Sequence, residues 1–295
     1  MNVFVIGATG YIGSAIAEAL KAAGHQVLGS ARSDEAKQRL RAAGVEPAAA
    51  DITDPTSLIA PAERADAAIY VVQYNGPDGA DVEGAALRSL VDALAGTNKP
   101  LLYTSGVWIY GSTGDRVADE QSPHDPTPLV AHRPQLERIV LDGVARGVHT
   151  VVIRPGDVYG RGRGIPAMWI QSAKQGGAAR FVGDGGSHWP VVHVEDLAQL
   201  YVLALTKAHA GSVYNAGDET AFTVREMAEA ASHGAGARGN VAAWPLEQAR
   251  QTLGAFADAL VLDMRITSRK AREEIGWQPR SSTILDDLRS GSYRG

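Results

Sequence analysis

"NVFVIGATGYIGSAIAEALKAAG", residues 2–24, runs from a continuous apolar stretch into apolar residues at helical spacing, with three glycines at the join. That change of period is the mark of a buried strand feeding a helix. At such a junction Gly7 permits a tight turn and Gly10 lets the backbone approach a pyrophosphate. Gly13 lets helix and strand pack closely, while the free N–H groups of the helix start hold the anion. The glycines stand three apart, one residue longer than the commonest dinucleotide fingerprint. An ordinary glycine-rich turn has the same composition; the placement between a strand and a helix is what points to dinucleotide binding.

The same alternation continues outward. "HQVLGS" (25–30) is followed by the helical "DEAKQRLRAAG" (34–44) and the short run "EPAAAD" (46–51). "DAAIYVV" (66–72), "PLLYTS" (100–105) and "TVVIRP" (150–155) read as further buried strands, separated by helices at 84–95 and about 131–146. Strands and helices in alternation predict an α/β fold, a doubly wound parallel sheet covered on both faces. After Arg154 the regularity fades: "GDVYGRGRGIP" (156–166) and "GGAARFVGDGGSHWP" (176–190) are loop-rich, with late helices at about 194–206, 223–232 and 267–275. The expected division is a dinucleotide-binding Rossmann domain over 1–160, rejoined by 188–216. Residues 161–187 and 217–295 form a small substrate lobe.

Composition narrows the partners. With 295 residues, 45% of them hydrophobic, the chain can build a full core. A net charge of −5 argues against nucleic acid or an anionic membrane as partner, which leaves a small molecule. No cysteine is present, so thiolate chemistry is excluded, and the eight histidines show no ligand spacing; His188 and His193 stand five apart. No metal is therefore expected. Nothing approaches the ~18 apolar residues of a membrane helix, and the chain opens on an apolar run without a basic leader, so it reads as soluble and cytoplasmic.

The second strand ends "VLGSARSDE" (27–35), with no acid before Asp34 to meet a ribose 2′-hydroxyl. Ser30, Arg32 and Ser33 instead suit a 2′-phosphate, which favours NADP(H), with NAD(H) the alternative; a solvated loop arginine is the plainer reading. Asp51 is placed either to meet the adenine amino group or to cap the helix begun by "TDPTSL".

With these residues in hand, the chain resembles an extended or atypical short-chain dehydrogenase/reductase of the NAD-dependent epimerase/dehydratase type. "GATGYIG", "LLYTSGVWIYG", "VVIRPGDVYGRG", "WPVVHVEDLAQLYVLAL", "YNAGDETAFTVREMAEA" and "ITSRKAREEIGW" carry the likeness in order, nearly end to end. The resemblance implies cofactor contacts from Gly7, Thr9, Gly10, Tyr11, Ile12, Gly13, Asp51, Ile52, Val71, Val72 and Thr104. It also places the nicotinamide over Pro155, Gly156 and Val158. Substrate would enter between Gln73, Tyr74, Gly106, Trp108, Tyr159 and a loop bearing Met168, Trp169 and Trp189. Aromatic residues there suit an uncharged, partly apolar molecule, and they would equally suit a lobe core. A homodimer through the helices at 84–95 and 131–146 is also implied, although the stripe Leu87, Leu90, Val91 and Leu94 is no wider than sheet packing needs.

The catalytic positions depart from that family. Its working set is a Ser or Thr, a Tyr, a Lys four residues after the Tyr, and a Glu four after the Lys. Setting that Glu on Glu137 puts Arg133 at the lysine and Leu129 at the tyrosine, and the catalytic hydroxyl position falls on Gly106, beside Ser105. Arg133 can bind and polarise but cannot shuttle a proton. His132 is the nearer candidate acid, yet neighbours on a helix point about 100° apart and rarely face one ligand. Pro134 either opens that helix or kinks one begun at Thr127–Pro128. The expected activity is an NADP(H)-dependent oxidoreductase passing hydride to a small activated acceptor (iminium, activated alkene or carbonyl), aided by Arg133 and the hydroxyls of Ser105 and Tyr103. Two alternatives stand beside it: a nucleotide-sugar epimerase or dehydratase, and a non-catalytic NAD(P)-sensing regulator.

Overall fold

Val3, Val5 and Val27 turn to one side of a sheet while Phe4, Ile6 and Leu28 turn to the other, and all six are buried. Two covered faces are what the unbroken apolar run at the start requires. The computed structural model describes residues 1–74, 76–219 and 222–294. Its first half alternates: β1 (Asn2–Ile6), α1 (Tyr11–Ala22), β2 (Gln26–Ala31), α2 (Asp34–Ala42), β3 (Glu46–Ala49), α3 (Ile59–Arg64), β4 (Ala67–Tyr70), α4 (Gly79–Leu94) and β5 (Pro100–Thr104). There follow β6 (Val117–Ala118), α5 (Arg133–Asp142), β7 (His149–Pro155), β8 (Asp157–Tyr159), α6 (Pro166–Gly176), β9 (Ala179–Val182) and β10 (His188–Trp189). Next come β11 (Val191–His193), α7 (Val194–Lys207) and β12 (Ser212–Ala216).

Seven of these strands form one parallel sheet in the order β12-β7-β5-β4-β1-β2-β3. The winding reverses between β1 and β4, and in open α/β sheets ligands bind beyond the carboxyl ends of the strands at that point. This is the doubly wound architecture expected from the sequence.

Local chemistry explains where the element boundaries differ. The helix expected over 84–95 begins at Gly79, because Gly79 and Gly84 and the lack of a capping side chain hide its first turn. Leu87, Leu90, Val91 and Leu94 are consumed against the sheet of the same chain. The helix expected over about 131–146 is instead α5, preceded by a 3-10 turn at Pro128–Val130 and followed by a second at Gly143–Arg146. Pro134 lies in the first turn of α5, where its missing N–H is an orphan in any case, so it opens the helix.

The chain ends with β13 (Phe222–Thr223), α8 (Val224–Gly234), β14 (Val241–Trp244), α9 (Leu246–Leu253), α10 (Phe256–Ala259), β15 (Arg265–Ile266), α11 (Arg269–Ile275) and α12 (Ile284–Ser290). Of the quoted stretch 214–230, residues 220–221 lie outside the described residues. A separate apolar core joins α6, β9, α8 and α12. Residues 217–295 were expected to belong wholly to the lobe, but Ala271, Ile275 and Trp277 pack into the core beneath α7. The Trp277 indole donates to the Asp196 carbonyl at 2.8 Å, so α11 returns to the sheet.

Candidate active site

The glycine junction is built as its spacing demands. Gly7 adopts φ +101°, and a Cβ on Gly13 would lie 2.1 Å from the Gly7 carbonyl oxygen, so only glycine lets α1 start this close to the turn. Gly10 caps α1 with no side-chain hydrogen bond and no acid follows in the first turn, which leaves the first helical amides for an anion. Thr9 is exposed beside them. The Tyr11 side chain turns elsewhere: its hydroxyl donates to the Gly160 carbonyl at 2.8 Å, under the Arg163 guanidinium.

At the end of β2 the three polar residues have separate tasks. Ser30 Oγ accepts from the Gly7 amide at 3.1 Å and ties the turn to β2. Ser33 caps α2 by accepting from the Ala36 amide. Arg32 is exposed and has no hydrogen-bond or ion-pair partner among the described residues. Asp51 forms a local turn, accepting from the Thr53 amide at 3.0 Å, and the cap of the following helical turn is Asp54. Ile52 is core.

Beyond the carboxyl ends of β4, β5 and β7 lies a cavity of about 200 Å³. Ile12, Val71, Val72, Gln73, Thr104, Ser105, Gly106, Trp108, Arg133, Pro155, Gly156 and Val158 line it, together with Val130, Asp157 and Ile165. Thr104 is held by the Tyr70 carbonyl and the Tyr201 hydroxyl. Ser105 Oγ is buried without a partner, as is Arg133 Nε. The serine beside the expected position is therefore the one in the cavity lining. Arg133 opens α5 and donates from Nη2 to Gln73 Oε1 at 3.2 Å. A Cβ on Gly106 would meet its Nη1 at 3.3 Å, so glycine there makes room for the guanidinium.

Several expected residues lie outside this cavity. Tyr103 points to the opposite face of β5, its ring 6.0 Å from that of Tyr70 in the core under α4 and α5. His132 precedes α5 and is not among the lining residues. Burial, and then the Arg133 charge, hold its imidazolium below the usual histidine range. Tyr74 packs toward α4, its amide bonded to the buried Glu83. Tyr159 is lobe core, with its hydroxyl on the Ser282 carbonyl at 2.7 Å. Trp169 and Trp189 stack at 5.5 Å and are 3% and 2% exposed, so they too belong to the lobe core. Their outer edges and Met168 border a neighbouring cavity of about 320 Å³, and Ile165 lines both cavities.

Two features go beyond the sequence reading. Glu137 is the bidentate partner of Arg154, at 2.9 and 2.6 Å, each side chain 3% exposed. Asp157 also lines the cavity, with Oδ2 buried and unpartnered. Burial pushes its carboxyl up to about 7, against the pull of a hydrogen bond from Trp108. The available signal was a lone acid in "RPGDVYG", between residues expected to touch the nicotinamide. Among the described residues, no three His, Asp or Glu side chains gather as a metal site.

The profile of the NAD dependent epimerase/dehydratase family matches residues 3–217. This chain belongs to that family. As a member it belongs among NAD(P)-dependent enzymes, whose relatives include epimerases, dehydrogenases and reductases. An uncharacterized protein of Schizosaccharomyces pombe is 32% identical over 305 residues, covering 99% of this chain and 100% of its own. UDP-glucose 4-epimerase of Mycolicibacterium smegmatis is 26% identical over 304 residues, with 95% and 94% covered. Among solved structures, the UDP-glucose 4-epimerase of Thermus thermophilus in complex with NAD superposes with a TM-score of 0.82 at 23% identity, covering 100% and 99% of the chains. That likeness speaks for the fold. For the cofactor of this family, the fit lies in the residues themselves: a junction only glycine can fill, uncapped helical amides, and three unpartnered polar atoms on cavity-lining residues, Ser105 Oγ, Arg133 Nε and Asp157 Oδ2. No helix among the described residues is long and apolar enough to cross a membrane.

Proposed function

We propose that this epimerase/dehydratase-family enzyme is an NADP(H)-preferring oxidoreductase acting on a small, partly apolar acceptor: an iminium, an activated alkene or a carbonyl. A bound nicotinamide supplies or accepts a hydride in such chemistry. The observation that carries the reading is the lining of the cavity, where Arg133 and the unpartnered Ser105 hydroxyl face mostly apolar residues. Arg133 holds the nicotinamide ribose and polarises the acceptor, remaining charged throughout. The substrate's apolar part extends past Ile165 toward Met168 and the tryptophan-bordered cavity. The homodimer implied by the family belongs to the same proposal and rests on the family alone.

The NADP(H) preference rests on Arg32. Losing one charge-assisted phosphate contact costs on the order of 1.5–3 kcal/mol. Arg32→Ala is therefore expected to weaken NADPH binding roughly ten-fold or more and leave NADH nearly unchanged, read by fluorescence titration. Equal losses for both would show that Arg32 does not read the 2′-phosphate.

An epimerase is the second reading, supported by the whole-length likeness to the M. smegmatis UDP-glucose 4-epimerase. Against it stands Leu129 at the tyrosine position, packed toward the apolar cluster around Tyr110 and Met264. NADPH consumption measured against aldehydes, ketones, imines and activated alkenes separates the two. Net loss of NADPH with one of them is expected, whereas UDP-sugar interconversion without net loss would favour the epimerase.

A further inference from the structure

With the family's glutamate set on Glu137, Leu129 stands where the proton-relay tyrosine would be, and Arg133 cannot give up its proton at a working pH. Among the described residues, Asp157 is the one other ionisable side chain lining the cavity. Its backbone is fixed: the Asp157 amide donates to the Pro190 carbonyl at 2.8 Å, and Asp157 pairs in parallel with Val191 of β11. Gly156 packs so closely beside it that a Cβ there would lie 2.3 Å from the Pro190 carbonyl oxygen. The side chain is held by Trp108, whose own ring rests 6.1 Å from Phe256. That leaves Oδ2 buried and without a partner on a cavity wall. A buried carboxyl in this state has one group to offer and no protein atom to receive it.

We propose that Asp157 is the proton-transfer residue of this enzyme, its Oδ2 giving the proton to the substrate atom that gains electrons as the adjoining carbon gains hydride. The inference rests on the hydride-transfer reading above. For a carbonyl acceptor the reduced nicotinamide is the reductant. As the carbon–hydrogen bond forms, the π pair of the C=O bond withdraws to oxygen. That oxygen forms a bond to the Asp157 proton, leaving a carboxylate that recovers its proton from water. In the oxidation direction the carboxylate removes the hydroxyl proton. Trp108 orients the carboxyl, and Ser105, whose hydroxyl is also unpartnered, donates to the same oxygen.

The electrostatics agree with this geometry. Burial raises the Asp157 carboxyl to about 7, and no cation pairs with it. The titratable group of β11, His193, lies against the Tyr159 ring, and among the described residues Arg133 is the one other charged side chain lining the cavity. The protonated form is therefore substantially present at neutral pH. The reduction rate is expected to be level below about pH 7 and to fall roughly ten-fold per unit above it, with the opposite limb for oxidation.

The test uses the full chain, NADPH and the best carbonyl or activated-alkene acceptor from the panel above, whose reduction takes up a proton. Asp157→Asn keeps the shape of the side chain and is expected to lower kcat roughly 100-fold or more, and to remove the pH limb. NADPH affinity should stay within about three-fold, which also reports folding. Asp157→Glu, which keeps an acid, should recover part of the rate and shift the limb. A readout independent of turnover is the carbon-13 NMR titration of aspartate carboxyls. One signal with a midpoint near 7 should be present in the wild type and missing in Asp157→Asn. Wild-type turnover in Asp157→Asn, or an Asp157 signal titrating near the ordinary ~4, overturns the proposal and leaves the hydride-transfer reading standing. If no member of the panel supports NADPH consumption by the wild type, both readings are overturned.

Discussion

Replacing Glu137 with alanine is expected to lower the melting temperature by roughly 5–8 °C. The change leaves the Arg154 guanidinium buried without its carboxylate, and breaking a buried pair from one side costs about 3–5 kcal/mol. Unfolding entropy near 2.1 cal/mol/K per residue converts that loss into the stated shift for a chain of 295 residues. Arg154 also donates to the Tyr110 hydroxyl at 2.6 Å and to His124 Nε2 at 3.1 Å. Tyr110 in turn donates to Asn215 at 2.8 Å. One ion pair thus binds α5 to β7, to the turn carrying Trp108 and to β12. Glu137 stands one helical turn beyond Arg133, so the loss reaches the cavity as well. The paired change Glu137→Leu with Arg154→Met removes both charges and should recover most of the melting temperature. Calorimetry decides the matter: a shift under about 1 °C for Glu137→Ala would show that the buried pair is not what joins these elements.

Adjacent side chains at the start of α5 are expected to respond very differently. Arg133→Ala should lower kcat/KM ten-fold or more, because Arg133 lines the cavity and is held there by Gln73. His132→Ala should stay within a few-fold. Its ring lies outside the cavity, and burial beside Arg133 keeps it neutral at physiological pH. Parallel assays with NADPH titrations separate the effects. Activity abolished in His132→Ala at unchanged NADPH affinity would make His132 the proton donor and contradict both this account and the role assigned to Asp157.

The parts of the molecule legible in its sequence are those where backbone geometry allows one residue type. Gly7 and Gly13 are such positions, and the alternation of Val3, Phe4, Val5 and Ile6 between two buried faces needs no tertiary information. Arg133 could be placed because Glu137 fixes the helical register. Residues whose type serves two ends equally were not legible. A tryptophan suits a substrate loop and a lobe core alike, and only packing placed Trp169 against Trp189 inside the lobe. Ser30 and Ser33 could meet a phosphate, yet one ties down Gly7 and the other caps α2. Asp157 shows the converse: a lone acid among apolar and glycine neighbours is its only trace in the sequence, and only the fold places it in the cavity lining with an unpartnered carboxylate oxygen. The start of α4 was hidden for a local reason, since glycines at 79 and 84 weaken a helix that tertiary contacts hold together.

The central claim is net hydride transfer to a released product. It is tested most directly by single turnover of the enzyme with NADPH deuterated at the transferable C4 position, the product being weighed by mass spectrometry. One deuterium on the former acceptor carbon and an equal amount of NADP⁺ are expected. Interconversion of a nucleotide sugar that leaves the nicotinamide in its starting oxidation state would contradict it.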